Sequence, residues 1–452
     1  MRMLALALPS LLALAPSISP SVRAQQPPQV VELSPARFSA EVDATKTTTL
    51  TIKFDRSMST TGFSFCGGGP AFPKFKGRPV WKDDRTITVE VELEPDHDYH
   101  LGLNAPAAQN FRSAAGTPLV PVQWLFSTLP KELPDQGSQA MRNKKALDLL
   151  VDAIDAHYSH RDLRVHDWKK RYADSKAALL GARTDKGFAA AAAALLQPTE
   201  DIHLYVRCGD STFPTGTRAV DPLFRLELLD KYVEKQQVGP NALVGRSGDG
   251  IGYLMVGEWT DRIDVTAIAK ALAGMRDCKA FVVDARPNSG GDESLAQRIA
   301  AWFVEGTKVY AKNRYRTKPG KDGFGPVLDR TITGNDAERR VDVPIAVLTS
   351  RYVMSSNESF VLMLQQARDC TTIGQPTFGS SGNPKPFDLR NGVTVVIPSW
   401  QDLRLDGTCF EGEGLKPDVA VECTAEQLEQ KDPILEKALE LLRGKVAKAK
   451  GR

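Results

Sequence analysis

Ser355 stands between an apolar run that ends near Leu348 and a second one that begins after Glu358, in Leu348-Thr-Ser-Arg-Tyr-Val-Met-Ser-Ser-Asn-Glu358. At a strand-to-helix junction, orphan amides and the positive end of the helix dipole favour a developing oxyanion, which suits a serine to nucleophilic acyl transfer. Ser355-x-x-Glu358 also has the spacing of a capping box, in which the hydroxyl merely caps the helix. The local sequence admits both readings. Gly290 and Gly291 close the segment Asp284-Ala-Arg-Pro-Asn-Ser-Gly-Gly291, between a strand-like run and a helical pattern. Paired glycines let backbone N–H groups approach a ligand oxygen, as an oxyanion hole requires, although an ordinary tight turn reads the same way. Gly374-Gln-Pro-Thr-Phe-Gly379 leads into Ser380-Ser381-Gly382, a glycine-rich turn. Phe410-Glu-Gly-Glu-Gly-Leu-Lys-Pro-Asp418 sets Glu411 beside glycine, where a carboxylate can orient a base, bind an α-amino group or simply be solvated.

Other chemistries lose their main support. The chain has no HExxH, no Walker phosphate loop, no GxSxG and no GxGxxG after a strand. A formal net charge of +3 leaves no electrostatic footprint for nucleic acid or an anionic membrane, and the basic end from Lys445 to Arg452 reads as solvated. The six cysteines, Cys66, Cys208, Cys278, Cys370, Cys409 and Cys423, include no C-x-x-C pair. An even count permits disulfides in an oxidising compartment. Cys278 and Cys370 each precede a strand-like run and Cys409 lies near Cys423, so those two pairs are the expected bridges.

The elements that must position these segments fall into blocks. Arg2, a broken apolar run over residues 4–14 and the small-residue site Val22-Arg23-Ala24 predict a cleavable export signal over residues 1–24, with no following cysteine to take a lipid. Residues 25–130 read as a β-sandwich: residues 48–54 and 86–93 alternate apolar with polar, and turn signals such as Asp83-Asp84 separate the runs. A linker is expected over 130–137, then a helical subdomain over 138–206. An α/β layered core follows over 207–424, with helices at 264–275, 293–303 and 356–367, strands at 279–284 and 344–349, and a hairpin turn at Arg390-Asn391-Gly392. Over 425–452 Thr424-x-x-Gln427 predicts the cap of a closing helix that Pro433 breaks in two.

Taken together, the four segments resemble the tail-specific (C-terminal processing) protease and tricorn-core serine peptidase family. Asp284 to Gly291 is similar to its DLRGNxGG, Val353 to Glu358 to its TxSAxE, Gly374 to Gly379 to GxPTxG, and Glu411 to Asp418 to EGxGxxPD, in the same order. The resemblance runs from about residue 140 to 424. It implies a core of the crotonase-like and tail-specific protease type, with Ser355 as nucleophile, backbone amides of Gly290 or Gly291 and of Ser356 as oxyanion donors, and Glu411 as orienter of the base or holder of a polar substrate group. The lysine that serves one branch as base is replaced by Ser380. Gln197-Pro-Thr-Glu-Asp-Ile-His203-Leu-Tyr resembles the LxDxHTxY of the tricorn-like branch, which makes His203 the implied base; that branch's helper serine is replaced by Ile202. Between His203 and the core there is no room for a PDZ module. Residues 25–130 resemble the bacterial Ig-like domains appended to secreted enzymes. The resemblance implies a periplasmic or secreted peptidase for peptide or protein substrates, with no cofactor, no metal, no nucleic-acid partner and no membrane insertion. The alternative is a non-catalytic protein that carries apolar ligands or peptides on the same fold. Oligomeric state is not implied.

Overall fold

The computed structural model describes residues 27–450 apart from 106, 217–219 and 321. The expected export signal lies outside these residues. The chain divides into two compact units, Met1–Lys131 and Glu132–Arg452.

In the first unit the alternating segments form strands Thr49–Phe54 and Thr86–Glu92, the centre of a five-stranded antiparallel sheet. A three-stranded sheet holds Phe65–Cys66, Asp98–Leu103 and Val122–Ser127. Because side chains alternate across a strand, Leu50, Ile52, Phe54, Ile87, Val89 and Val91 of the first sheet share one core with Leu101, Leu103, Trp124 and Phe126 of the second.

The second unit opens with helices Gln136–His157, Arg161–Arg164, Trp168–Leu180 and Asp185–Leu196. The first begins inside the segment expected as a linker, because Asp135 accepts the N–H of Ser138 at 2.9 Å and caps it. A seven-stranded sheet follows, with parallel pairing through Ile251–Val256, Ala280–Asp284, Ile345–Thr349 and Cys370–Gly374. The first three of these strands are buried throughout, as apolar runs covered on both faces must be. Leu254, Phe281, Val283 and Val347 face a core with helices Val265–Ala273, Glu293–Ala300 and Ser356–Leu364, whereas Tyr253, Val282, Ala346 and Leu348 face the closing helix Pro433–Lys450.

Parallel strands bring their C-terminal ends to one edge of the sheet, where ligands of α/β folds bind. Here that edge gathers the Asp284 loop, the turn before Ser355 and the Gly374 loop. A second, four-stranded sheet joins parts distant in sequence. Strand Tyr205–Cys208, just after His203, pairs with Val393–Pro398, which pairs with Pro384–Asp388, just after Ser380 and Ser381. Arg390 and Gly392, at φ 64° and 78°, make the hairpin turn between the last two strands.

Two expectations are corrected. The reciprocal Thr424–Gln427 hydrogen bonds form at 3.0 and 3.3 Å, but they close only a 3-10 turn, Gln427–Glu429. Pro433 opens the closing helix instead of breaking it, since its missing N–H costs nothing in a first turn and Asp432 caps Leu435 N at 3.0 Å. All six cysteines are free thiols. Cys370 pairs across Ile345 to Phe281, and Cys278 precedes that last strand, so at least two strand spacings of about 4.8 Å separate the pair, beyond the ~7 Å reach of a disulfide. Cys423 packs against the closing helix, in a core that Cys409 does not join.

Candidate active site

Ser355 precedes the helix Ser356–Leu364 at φ 55° and ψ −133°, a conformation that costs a non-glycine residue energy and is held by its surroundings. Its N–H donates to the carbonyl of Ser380 at 2.8 Å and to Glu358 Oε2 at 3.2 Å. Glu358 is fully buried and gathers three loops: its carboxylate also accepts the N–H groups of Gly379 (2.8 Å) and Ser380 (3.1 Å) and the hydroxyl of Thr377 (2.5 Å). Burial pushes its carboxyl up to about 8, against these hydrogen bonds. The capping box is therefore real, yet the Glu358 amide goes to the Ser355 carbonyl at 2.8 Å, so the hydroxyl is a secondary partner and not the cap's main acceptor.

The paired glycines lie against this turn. A Cβ on Gly290 would stand 2.8 Å from the Ser355 Cβ, and one on Gly291 would stand 2.0 Å from the Trp259 carbonyl oxygen, so both positions require glycine. Gly290 donates its N–H to Asn288 Oδ1 at 2.8 Å, which leaves Gly291 as the glycine whose amide has no acceptor among the described residues. The Ser356 hydroxyl donates to the Gly291 carbonyl at 2.5 Å and fixes that loop to the helix start. A cleft of about 340 Å³ opens beside Ser355, lined by Gly291, Ser356, Ser359, Ser381, Asn383 and Trp400 among others.

His203 arrives from the helical side. Its Nδ1 is 2.9 Å from the Ser380 hydroxyl, and its N–H donates to Asp201 Oδ1 at 3.0 Å. Ser355 and His203 share no hydrogen bond; Ser380 joins them, its carbonyl on the Ser355 amide and its hydroxyl on the His203 ring. Glu411 is not on His203. It lies beneath the Ser381 turn, accepts the Ser381 N–H at 3.0 Å, and takes Arg164 at 2.5 Å and His160 Nδ1 at 3.5 Å on its other oxygen.

Sequence reasoning missed this buried cluster. His160 Nδ1 lies 3.3 Å from Asp201 Oδ2, and both side chains are fully buried. Burial would lower the His160 ring, but Glu411 and Asp201 outweigh it and hold the ring above its usual value. Burial would likewise raise Asp201, but His160, Arg164 and His203 hold it well below the carboxylate range. Glu411 is raised by burial and by Asp201, against the pull of His160 and Arg164. Ligand-type atoms of His160, Asp201 and Glu411 lie within 4.8 Å of one another, a spacing that suits a cation. Arg164 already supplies one, so the donor set does not call for a metal.

Residues 250–421 match peptidase family S41. The Carboxyl-terminal-processing protease of Synechocystis is 28% identical over 209 residues, 45% of this chain and 46% of that protein. A Staphylococcus aureus protein described as "Probable CtpA-like serine protease" is 28% identical over 195 residues, 43% of this chain and 38% of its own length. The chain thus spans less than half the length of these relatives. A Parabacteroides merdae protein of known crystal structure superposes with a TM-score of 0.59 at 23% identity, over 67% of this chain and 96% of that one, and shares the fold. Among the described residues no helix is long and apolar enough to cross a membrane. Ser355, the glycine pair packed against it and the Glu411 loop all fall within residues 250–421, the span that is similar to peptidase family S41.

Proposed function

We propose that the chain is an exported serine peptidase that hydrolyses peptide bonds of peptide or protein substrates through an acyl-enzyme on Ser355. Ser355 Oγ attacks the scissile carbonyl while His203 takes its proton at Nε2, because Nδ1 is engaged by Ser380. The amides of Gly291 and Ser356 receive the oxyanion; Gly290, its own amide given to Asn288, serves by letting the loop close on Ser355. Collapse of the tetrahedral intermediate breaks the C–N bond and the imidazolium protonates the leaving amine. Water, deprotonated by the same ring, then releases the acid and restores the Ser355 hydroxyl. Glu411 acts at one remove, by holding the Ser381 turn.

In this reading residues 25–130 are an Ig-like spacer, 138–206 the helical subdomain that supplies His203, 207–424 a core of the crotonase-like and tail-specific protease type, and 425–452 a closing helix and tail. Export rests on residues 1–24. The observation that carries the proposal is Ser380, which links the strained serine turn to the one histidine of a peptidase motif. A fluorophosphonate probe tests it. The purified protein should be labelled on the peptide that contains Ser355, and Ser355→Ala should not be labelled. Absence of labelling together with tight uptake of apolar dyes would favour a binding protein instead.

A further inference from the structure

The proposed chemistry needs two turns held together, one with His203 and one with Ser380 and Ser381, and each is tied to a different buried carboxylate. Asp201 Oδ1 accepts the His203 N–H at 3.0 Å, and Glu411 Oε2 accepts the Ser381 N–H at 3.0 Å. Between the two carboxylates lies His160 Nδ1, 3.3 Å from Asp201 Oδ2 and 3.5 Å from Glu411 Oε1. The other polar groups of the cluster are Arg164, 2.5 Å from Glu411 and 3.8 Å from Asp201, and the Tyr158 hydroxyl, which donates to Asp201 at 2.9 Å. Two adjacent carboxylates repel strongly out of water, and the single guanidinium cancels only one of them. An imidazolium at His160 cancels the other.

We propose that His160, as an imidazolium, is a positioning residue that locks the Asp201 carboxylate to the Glu411 carboxylate and so holds His203 on Ser380. The inference rests on His203 and Ser355 acting as base and nucleophile. When His160 loses its proton the carboxylates repel, the two turns separate and His203 loses its place. The carboxylates hold the ring above its usual value, so this loss falls on the alkaline side. The rate profile therefore has an acid limb from His203 and an alkaline fall from His160, to which Glu358 adds, since its buried carboxyl on the Ser355 and Ser380 amides is pushed up to about 8.

Second-order rates of fluorophosphonate labelling of the full chain, measured from about pH 5 to about pH 10, test this. Wild type should give a bell. His160→Gln should be at least about tenfold slower near neutrality and keep the acid limb, but fall less than wild type on the alkaline side, because glutamine can bridge the carboxylates yet has no proton to release. A uniform drop at every pH, or a His160→Gln alkaline fall as large as that of wild type, overturns the proposal. Should that variant fail to fold, histidine NMR of the wild type decides. The His160 ring must titrate above the ordinary histidine value, and titration at or below about 6.5 overturns the proposal. Labelling of Ser355→Ala as fast as wild type overturns the nucleophile reading and this inference together, whereas Ser355-specific labelling with the wrong limb overturns this inference alone.

Discussion

Replacing Asp432 by alanine should destabilise the second unit far more than loss of a surface ion pair, through Arg286. This arginine is wholly buried and all five of its N–H groups are used. Nε and one Nη2 hydrogen go to Asp284 at 2.9 and 2.7 Å, the other Nη2 hydrogen to Asp432 at 2.8 Å, and the two Nη1 hydrogens to Asp432 at 2.9 Å and the Leu223 carbonyl at 2.8 Å. Asp432→Ala orphans two donors of a buried cation, which costs about 3–5 kcal/mol. It also removes the acceptor for Leu435 N, worth about 1 kcal/mol as a helix cap. The sum is roughly 4–6 kcal/mol, or a fall in melting temperature of roughly 8–24 °C at about 2–4 °C per kcal/mol. Thermal and denaturant unfolding followed by circular dichroism measure it. The exposed pair Lys437–Glu440, at 2.9 Å, is the control, worth less than about 1 kcal/mol. If Asp432→Ala falls within that control's range, the account of Arg286 as a buried tie between the sheet and the closing helix is wrong.

Gly290→Ala, whose Cβ would meet Ser355, should lower probe labelling by at least about a hundredfold, read as a second-order rate against wild type. Thiol titration of the denatured, unreduced protein should find six free cysteines, and a reductant should leave the melting temperature unchanged. Burial raises Glu358 to about 8, so above about pH 4.3 the folded state keeps a proton that the unfolded chain has released. Stability from this source is full below about pH 4.3 and is lost as pH rises towards 8. Denaturant unfolding at several pH values should show that decline, and Glu358→Gln should flatten it.

Legibility followed sequence distance. The strand-to-helix turns that carry Ser355 and the glycines could be read because strand, turn and helix are adjacent in the chain, and a 3.6-residue or 2-residue period marks where each element stops, whereas the roles of these residues were implied only by the resemblance. His160 could not. Its carboxylate Asp201 lies 41 residues away, and Glu411 lies 247 residues from Arg164, so only the folded helical layer assembles the cluster. A local word does not say which acids a histidine will meet. Glu411 was expected to orient the base or hold a polar substrate group, and its contacts with His160 and Arg164 were out of reach of a local reading for the same reason. Cysteine parity likewise carries no strand order, and the strand between the Cys278 and Cys370 strands is what separates that pair. Pro433 was read as a breaker because the helical pattern runs through it; the cap from Asp432 makes it a start.

The most direct test of the account is a burst experiment with an activated peptide ester, followed by intact mass. Wild type should release close to one equivalent of leaving group per chain in a fast phase, with the acyl group located on Ser355. The burst rate should fall on the acid side of about pH 6.5. His203→Ala should slow it by at least about a hundredfold, and Ser380→Ala by much less. A burst that persists in Ser355→Ala, or a His203→Ala burst as fast as wild type, would contradict the account.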